Sequence, residues 1–589
     1  MEPMRIFDIP YLHNKKFPKE DCIASKVNGA WQKISTAQLI SIAENLAYGF
    51  IDAGINKGDK IATICSNNRI EWNFTDLAIL LTGAIHVPIY PTISDEDYKF
   101  IFTDAEIKYV FVSDEKLYDR IKVIVKDIPA IKEVYTFNEI NGAHHWKELL
   151  AIGEKNPCPE RLESIKKSIE PGALATLIYT SGTTGTPKGV MLSHTNIVSN
   201  VEAATIFVPV QAGGRALSFL PLCHVYERML NYLYQYLGIS IYYAESIDAI
   251  GDNLKEVKPD IFVAVPRVLE KVYDKVLAAG NALKGIKKKL FFWSVNLGVR
   301  YELDHANGWW YDFQLGIARK LVFKKWQEGI GGNIKTIVSG SAPLQPRLQR
   351  VFWAAGIPIL EGYGLTETSP VISVNLLEPG GAKFGTVGPV LPGVEVKMAD
   401  DGEILCKGPN VTMGYYKRPD LTMEAIDRDG WFHTGDIGVF KDKFLMITDR
   451  KKELLKTSGG KYVAPQPIEN KMKESPYISQ IMVVGDGRKF TGALIVPNFH
   501  NLEAWCKANN IPVDNNRRLL IQNDKVHHLF ETERDRLNAS FGHIEQVKRF
   551  ELLPDEWTTD GGELTPTLKL KRKVILEKYK FSIEKIYAE

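Results

Sequence analysis

The sequence predicts an α/β fold, with a large N-terminal domain of helix-covered, mostly parallel sheets plus a distorted β unit, followed by a small mobile α+β domain. Three observations carry this. Short β-rich runs alternate with helical periodicity through the N-terminal and middle chain, the signature of strand–helix–strand units. From about residue 385 the pattern becomes short strands broken by Gly388-Pro389, Pro392-Gly393, Asp401-Gly402 and Gly408-Pro409. A polar run, Asp449-Arg450-Lys451-Lys452-Glu453, then reads as a hinge before the last domain. The predicted domains are 1–450 and 451–589.

Taken in order, residues 35–53 begin the fold as an amphipathic helix. Leu39, Ile42, Leu46 and Phe50 share one face behind a Ser35-x-x-Gln38 capping box, and Gly54 is the stop. Strands are expected at 60–64, 109–112, 134–137, 173–178, 216–220, 239–243, 261–265, 334–338 and 357–360, and later at 481–484 and 493–496. Several end in unusual loops: Pro221-Leu222-Cys223-His224, Pro266-Arg267, Ser339-Gly340-Ser341-Ala342-Pro343 and Glu361-Gly362-Tyr363-Gly364-Leu365-Thr366-Glu367. Ligands bind at the carboxyl ends of parallel strands, so these loops are expected to converge on one crevice.

Composition narrows the function classes. With 589 residues and 45% hydrophobic content the chain can bury a large core in roughly two to four domains and is not disordered. A net charge of +2 gives no global electrostatic case for a nucleic-acid partner. The six cysteines lack C-x-x-C spacing, which suits reduced thiols in the cytoplasm and provides no structural zinc site. Residues 1–15 lack the apolar core of a signal peptide, and the longest apolar run, 77–90, is broken by Thr82, Gly83, His86 and Pro88. A soluble or at most peripheral protein is expected.

The stretch richest in chemistry is Tyr179-Thr180-Ser181-Gly182-Thr183-Thr184-Gly185-Thr186-Pro187-Lys188-Gly189-Val190. Hydroxyls and backbone N–H groups donate to anionic oxygens, glycines admit close approach, and Lys188 adds a point charge suited to a polyphosphate. The spacing is not that of a Walker A loop, because Lys188 follows a proline and precedes a glycine.

With this loop, Gly362-Tyr363-Gly364-Leu365-Thr366-Glu367, Trp431-Phe432-His433-Thr434-Gly435-Asp436, Asp449-Arg450 and the Lys569 tail in that order, the chain resembles the adenylate-forming superfamily of acyl-CoA synthetases, luciferases and peptide-synthetase adenylation domains. Residues 220–228 and the long helical insert before Ser339 resemble its long-chain fatty acid CoA ligase branch. The resemblance implies ATP, Mg²⁺ and coenzyme A. A fatty acid is condensed with ATP to acyl-adenylate and pyrophosphate, and the CoA thiol then displaces AMP.

It also implies roles residue by residue. Thr180, Ser181, Gly182, Thr183, Thr184 and Lys188 would clamp the β- and γ-phosphates, Glu367 would ligate Mg²⁺, and Thr366 would donate to the α-phosphate. Tyr363, between Gly362 and Gly364, would stack on adenine, while Asp436 and Arg450 would hold the ribose. Lys569 would bridge the acyl carboxylate and α-phosphate, with His224 beside that carboxylate. Lys452 would be the pivot and Lys456 the lysine used after the domain swings. Singly, Asp436 also reads as a turn residue, His224 as a core histidine, Tyr363 as core packing and the Lys569 tail as a solvated basic face. One departure concerns the acyl tunnel: where some bacterial long-chain ligases carry a tryptophan gate, this chain has Arg228.

Other readings differ in the acyl acceptor, a carrier protein instead of CoA; in the acid, medium-chain or aryl; or in class, a catalytically dead ATP-binding scaffold. Oligomeric state is not encoded in any motif. The insert at 284–326 adds an expectation of membrane contact. Lys284, Lys287, Lys288 and Lys289 precede a helical stripe of Leu290, Trp293, Leu297 and Tyr301, and Trp310, Phe313, Ile317 and Leu321 repeat it before Lys324-Lys325-Trp326. The competing expectation is that both stripes pack on the large domain.

Overall fold

Residues that read as continuous apolar runs become strands covered on both faces. Ile261–Ala264 and Thr336–Ser339 are buried at every position, as a parallel sheet between helix layers requires. The structure is a computed structural model describing residues 4–181, 186–246, 248–513, 516–559, 561–565 and 568–588. Gly182, Thr183 and Thr184 of the predicted phosphate loop lie outside these residues, as does the side chain of Ser181.

Two eight-stranded mixed sheets dominate. One runs in the order Val371–Val374, Ile359–Gly364, Thr336–Ser339, Ile261–Ala264, Arg215–Ser218, Ser240–Tyr243, Ile23–Val27, Ala30–Ile34, parallel inside and antiparallel at both edges. The carboxyl ends of its inner strands therefore bring 219–224, 265–267, 339–343 and 361–367 to one side of the sheet. The other sheet centres on Lys60–Ile64 between Ile85–Ile89 and Ile107–Val112, and it includes the antiparallel pair Leu174–Ser181 and Pro187–Ser193. The strands on either side of the predicted phosphate loop thus pair as a hairpin in this second sheet.

The helix Thr36–Asp52 has the predicted cap: Ser35 Oγ accepts from Gln38 N at 3.1 Å and Gln38 Oε1 accepts from Ser35 N at 2.8 Å. It does not begin the fold. A helix, Asp8–Lys16, and the hairpin Ile23–Val27/Ala30–Ile34 precede it, and the second hairpin strand is mostly exposed at a sheet edge, where apolar patterning is weakest. The apolar run 77–90 divides between the end of the helix Ile70–Leu81 and the strand Ile85–Ile89. Among the described residues no helix is long and apolar enough to cross a membrane.

The distorted β unit is a four-stranded antiparallel sheet, Glu395–Met398, Glu403–Lys407, Phe432–Lys441 and Phe444–Arg450, with register shifts at Glu403/Leu405 and Ile437/Gly438. Beyond it, Ile478–Val484, Gly492–Pro497 and Arg549–Leu552 form a three-stranded sheet with its own core, including Ile481, Leu494, Phe530 and Trp557.

The insert corrects one expectation by halves. Leu297 is fully buried in the core, with Trp293 and Tyr301 packed against it, so the first stripe belongs to the body of the protein. The second stripe does not: Trp310, Phe313, Ile317 and Leu321 are exposed.

Candidate functional site

Lys188 follows the proline that opens the strand Pro187–Ser193, and it pairs across the hairpin with Thr180. Its ammonium lies 5.0 Å from the centroid of the Tyr415 ring. The Tyr415 hydroxyl donates to Glu367 Oε1 at 2.9 Å. Tyr415 thereby joins the lysine of one sheet to the carboxylate following the other. The short strand Gly414–Tyr415 is held against Val190 and Met191, and Thr412 N donates to the Glu367 carbonyl at 2.8 Å.

Glu367 and Thr366 lie in a single 3₁₀ turn, Thr366–Thr368, after the strand Ile359–Gly364. Gly364 cannot carry a side chain, because a Cβ there would sit 1.7 Å from the Pro370 carbonyl oxygen. Glu361 is buried beneath this loop and accepts from Leu344 N at 2.9 Å, tying the 339–343 loop to it. Burial pushes the Glu361 carboxyl up to about 8.

Asp436 and Arg450 are direct partners on neighbouring antiparallel strands, so their side chains share a face. Arg450 Nε lies 3.3 Å from Asp436 Oδ1, and the Tyr363 hydroxyl donates to Asp436 Oδ2 at 2.7 Å. Burial raises the Asp436 carboxyl pKa, against the opposing pull of Arg450 and Tyr363. The tyrosine read as a stacking ring thus also holds the carboxylate.

His224 caps the helix Val225–Tyr236, its Nδ1 accepting from Tyr226 N at 3.2 Å. With that nitrogen an acceptor, the proton of the neutral ring sits on Nε2. Burial, aided by the Lys569 charge, lowers the His224 pKa to about 3, so the ring is neutral at any working pH. Lys569 is lowered to about 8, first by burial and then by Arg450, while Asp436, Glu453 and Glu367 oppose the shift. Lys569 thus lies within electrostatic range of His224, Glu367, Asp436 and Arg450.

The turn bearing Lys569 is fixed locally. Thr565 N donates to the Lys569 carbonyl at 2.8 Å, and Lys569 N to Thr565 Oγ1 at 3.0 Å. Arg572, at the start of the next helix, donates from Nη2 to both carboxylate oxygens of Glu469 at 2.7 Å and from Nε to Glu453 Oε2 at 2.9 Å. The planar guanidinium is thereby held between two carboxylates. Lys452 lies in the turn 451–453. Lys456 lies elsewhere: its backbone N–H donates to Asp486 at 3.0 Å and its ammonium is 5.6 Å from the Tyr462 ring, both within the C-terminal part.

Several residues here carry no local signal. Tyr415, Arg572 and Arg267 matter through partners far along the chain. Arg267, noted only as part of an odd strand ending, reaches Ser479. Arg228 is buried, donating to Asp76 Oδ1 at 2.6 Å, Tyr232 Oη at 2.8 Å and Thr176 Oγ1 at 2.6 Å. At the position compared with a tunnel gate, this chain has a core ion pair.

The AMP-binding enzyme family model matches residues 12–416, and the AMP-binding enzyme C-terminal domain model matches 452–589. This chain belongs to the AMP-binding enzyme family. Among curated relatives of this AMP-binding enzyme, a long-chain-fatty-acid–CoA ligase of Mycobacterium bovis is 35% identical over 98% of this chain and 96% of its own length. A long-chain-fatty-acid–CoA ligase of Xenopus laevis is 31% identical over 96% of this chain and 81% of its own. Solved structures with the same fold include the adenylation domain of a Mycobacterium chelonae carboxylate reductase, TM-score 0.78 and 22% identity, covering 100% of this chain and 92% of that one. A Mycobacterium tuberculosis fatty acyl CoA synthetase is similar at TM-score 0.62 and 20% identity, with 98% of each chain covered.

The AMP-binding enzyme's residues suit a magnesium ion. Glu367 offers a carboxylate oxygen, the hard ligand type that such an ion prefers.

Proposed function

We propose that this chain is an AMP-forming long-chain fatty acid CoA ligase, acting through two units, 1–450 and 451–589, in the cytoplasm and peripherally on the inner face of a membrane. What supports it is Lys569, partly buried and within electrostatic range of His224, Glu367, Asp436 and Arg450, together with the Tyr363–Asp436–Arg450 and Tyr415–Glu367 contacts. The long-chain acid and the CoA acceptor come from the curated relatives' names.

Carboxylate and ATP are both anions, so adenylation needs cations and donors in place beforehand. Lys188 and Thr180, with Ser181, Gly182, Thr183 and Thr184, hold the β- and γ-phosphates. Asp436 accepts from the ribose hydroxyls, oriented by Arg450 and Tyr363, and Gly362 and Gly364 let the adenine approach. His224 donates from Nε2 to the acyl carboxylate. A carboxylate oxygen attacks the α-phosphorus and the bond to pyrophosphate breaks. The Lys569 ammonium and the Thr366 hydroxyl stabilise the charge developing on the α-phosphate oxygens. Glu367 would hold Mg²⁺, which when bound supplies neutralising charge to the phosphates. Rotation at Lys452 then withdraws Lys569 and presents Lys456 as the CoA thiolate attacks the acyl carbon and AMP departs.

The test is CoA-dependent AMP formation across acids from acetate to oleate, with benzoates included. Long-chain acids should give the highest kcat/KM. A maximum with benzoates or medium-chain acids, or turnover only with a holo-carrier protein, overturns the assignment.

A further inference from the structure

The helix Trp309–Ala318 continues through a π-helical turn, Arg319–Phe323. One face is fixed to the body: Tyr311, Leu315, Ala318 and Phe323 are buried, Tyr311 Oη donates to the Leu297 carbonyl at 2.6 Å, and Arg319 Nε donates to the Ala354 carbonyl at 2.8 Å. The opposite face is also apolar. Trp309 is 79% exposed, Trp310 57%, Phe313 57%, Leu321 49% and Ile317 38%. Trp310 and Phe313 stack with centroids 5.6 Å apart. A helix apolar all round is normally covered on both sides.

Positive charge surrounds this face. Lys320, Lys324 and Lys325 are exposed along the same segment. The helix Gly285–Val299 packs beside it, Phe291 and Val295 against Val322, and carries exposed Lys287 and Lys289 with Ile286 82% exposed. Across 284–326 there are three carboxylates against these lysines, and each has a partner: Glu302 pairs with Arg350 at 2.9 Å, Asp312 with His305 at 2.8 Å, and Asp304 accepts from Gly380 N at 3.2 Å. A second copy of the chain is a poor cover for this face, because a two-fold contact would bring lysines against lysines.

We propose that this face docks on an anionic bilayer surface, the stripe from Trp309 to Leu321 entering the acyl boundary and the lysines meeting the headgroups. The proposal stands on these residues, and it rests on the ligase reading only for its use: a long-chain acid partitions into the bilayer the enzyme would sit on.

Sedimentation with vesicles tests it, using phosphatidylcholine mixed with phosphatidylserine against phosphatidylcholine alone. The full chain should bind the anionic vesicles at least about tenfold more strongly, and the difference should shrink as salt shortens the screening length. Trp310→Gln with Phe313→Gln should weaken binding about tenfold, by loss of buried aromatic area. Lys320→Gln, Lys324→Gln and Lys325→Gln together should remove most of the preference for anionic vesicles. Activity on detergent-dispersed oleate, unchanged in both variants, shows that they are folded. Wild-type protein that does not sediment, or binding unchanged in both variants, overturns the proposal. So does a wild-type dimer that becomes monomeric in the aromatic variant, since a second copy then covers the face. Vesicle binding without CoA-dependent AMP formation leaves the docking standing and removes the ligase reading; the converse result removes only the docking.

Discussion

Arg267 donates to both the carbonyl and the hydroxyl oxygen of Ser479, at 2.9 and 3.0 Å, although 212 residues separate them. The contact ties the start of the helix Pro266–Ala282, at the mouth of the crevice, to the strand Ile478–Val484 of the C-terminal sheet. Arg347 makes a parallel tie to the Glu474 carbonyl at 3.1 Å, and Asp449 Oδ2 accepts from Gln466 N at 3.3 Å. In the arrangement these contacts hold, Lys569 lies within electrostatic range of Arg450, Asp436 and Glu367.

Arg267→Ala should therefore act on one half-reaction. Hydrogen bonds from a charged donor contribute about 1.5–3 kcal/mol, less where water competes, so acyl-adenylate formation should slow about five- to tenfold. Thioester formation from supplied acyl-adenylate should be unslowed. Single-turnover kinetics of each step decide it, and equal slowing of both would reduce Arg267 to a structural role.

Lys569→Ala should slow adenylation by about 10²–10³, the usual loss for one preorganised donor, and spare the thioester step. Lys452→Pro should do the reverse, because proline fixes φ at the pivot. Equal effects of Lys569→Ala on both steps would count against the alternation of domains. The pH profile gives an independent reading. Lys569 acts as an ammonium and its pKa is lowered to about 8, so kcat/KM for adenylation should fall as pH rises through about 8. Lys569→Arg should move that limb to higher pH. His224, lowered to about 3, should add no limb in the neutral range.

Tyr415→Phe keeps the ring beside Lys188 and removes the hydroxyl on Glu367. The Mg²⁺ concentration needed for half-maximal adenylation should rise a few-fold, and Glu367→Gln should raise it much further by removing an anionic oxygen. An unchanged Mg²⁺ requirement in Glu367→Gln would refute the ligand assignment.

Arg228→Met should destabilise the protein by about 3–5 kcal/mol, because it strands the buried Asp76 carboxylate. Adding Asp76→Asn should recover part of that loss. Urea unfolding of the two variants measures it, and a single variant as stable as wild type would mean that Arg228 is not a core ion pair.

How much was legible follows from distance along the chain. The Ser35–Gln38 cap, the inner strands, the crevice-side loops and the order of the five motifs were readable because caps, periodicity and strand-end loops are written in residues a few positions apart. Asp436 and Arg450 were found by resemblance, and their pairing follows from adjacent antiparallel strands. Tertiary packing alone decided the rest. Nothing near Tyr415 says that it meets Glu367, 48 residues earlier, and nothing near Arg228 says that Asp76 waits 152 residues away. The two aromatic stripes of the insert have the same helical period, yet Leu297 faces the core and Trp310 faces water. A period reports that a face is apolar, and only the neighbouring helices determine whether that face is covered.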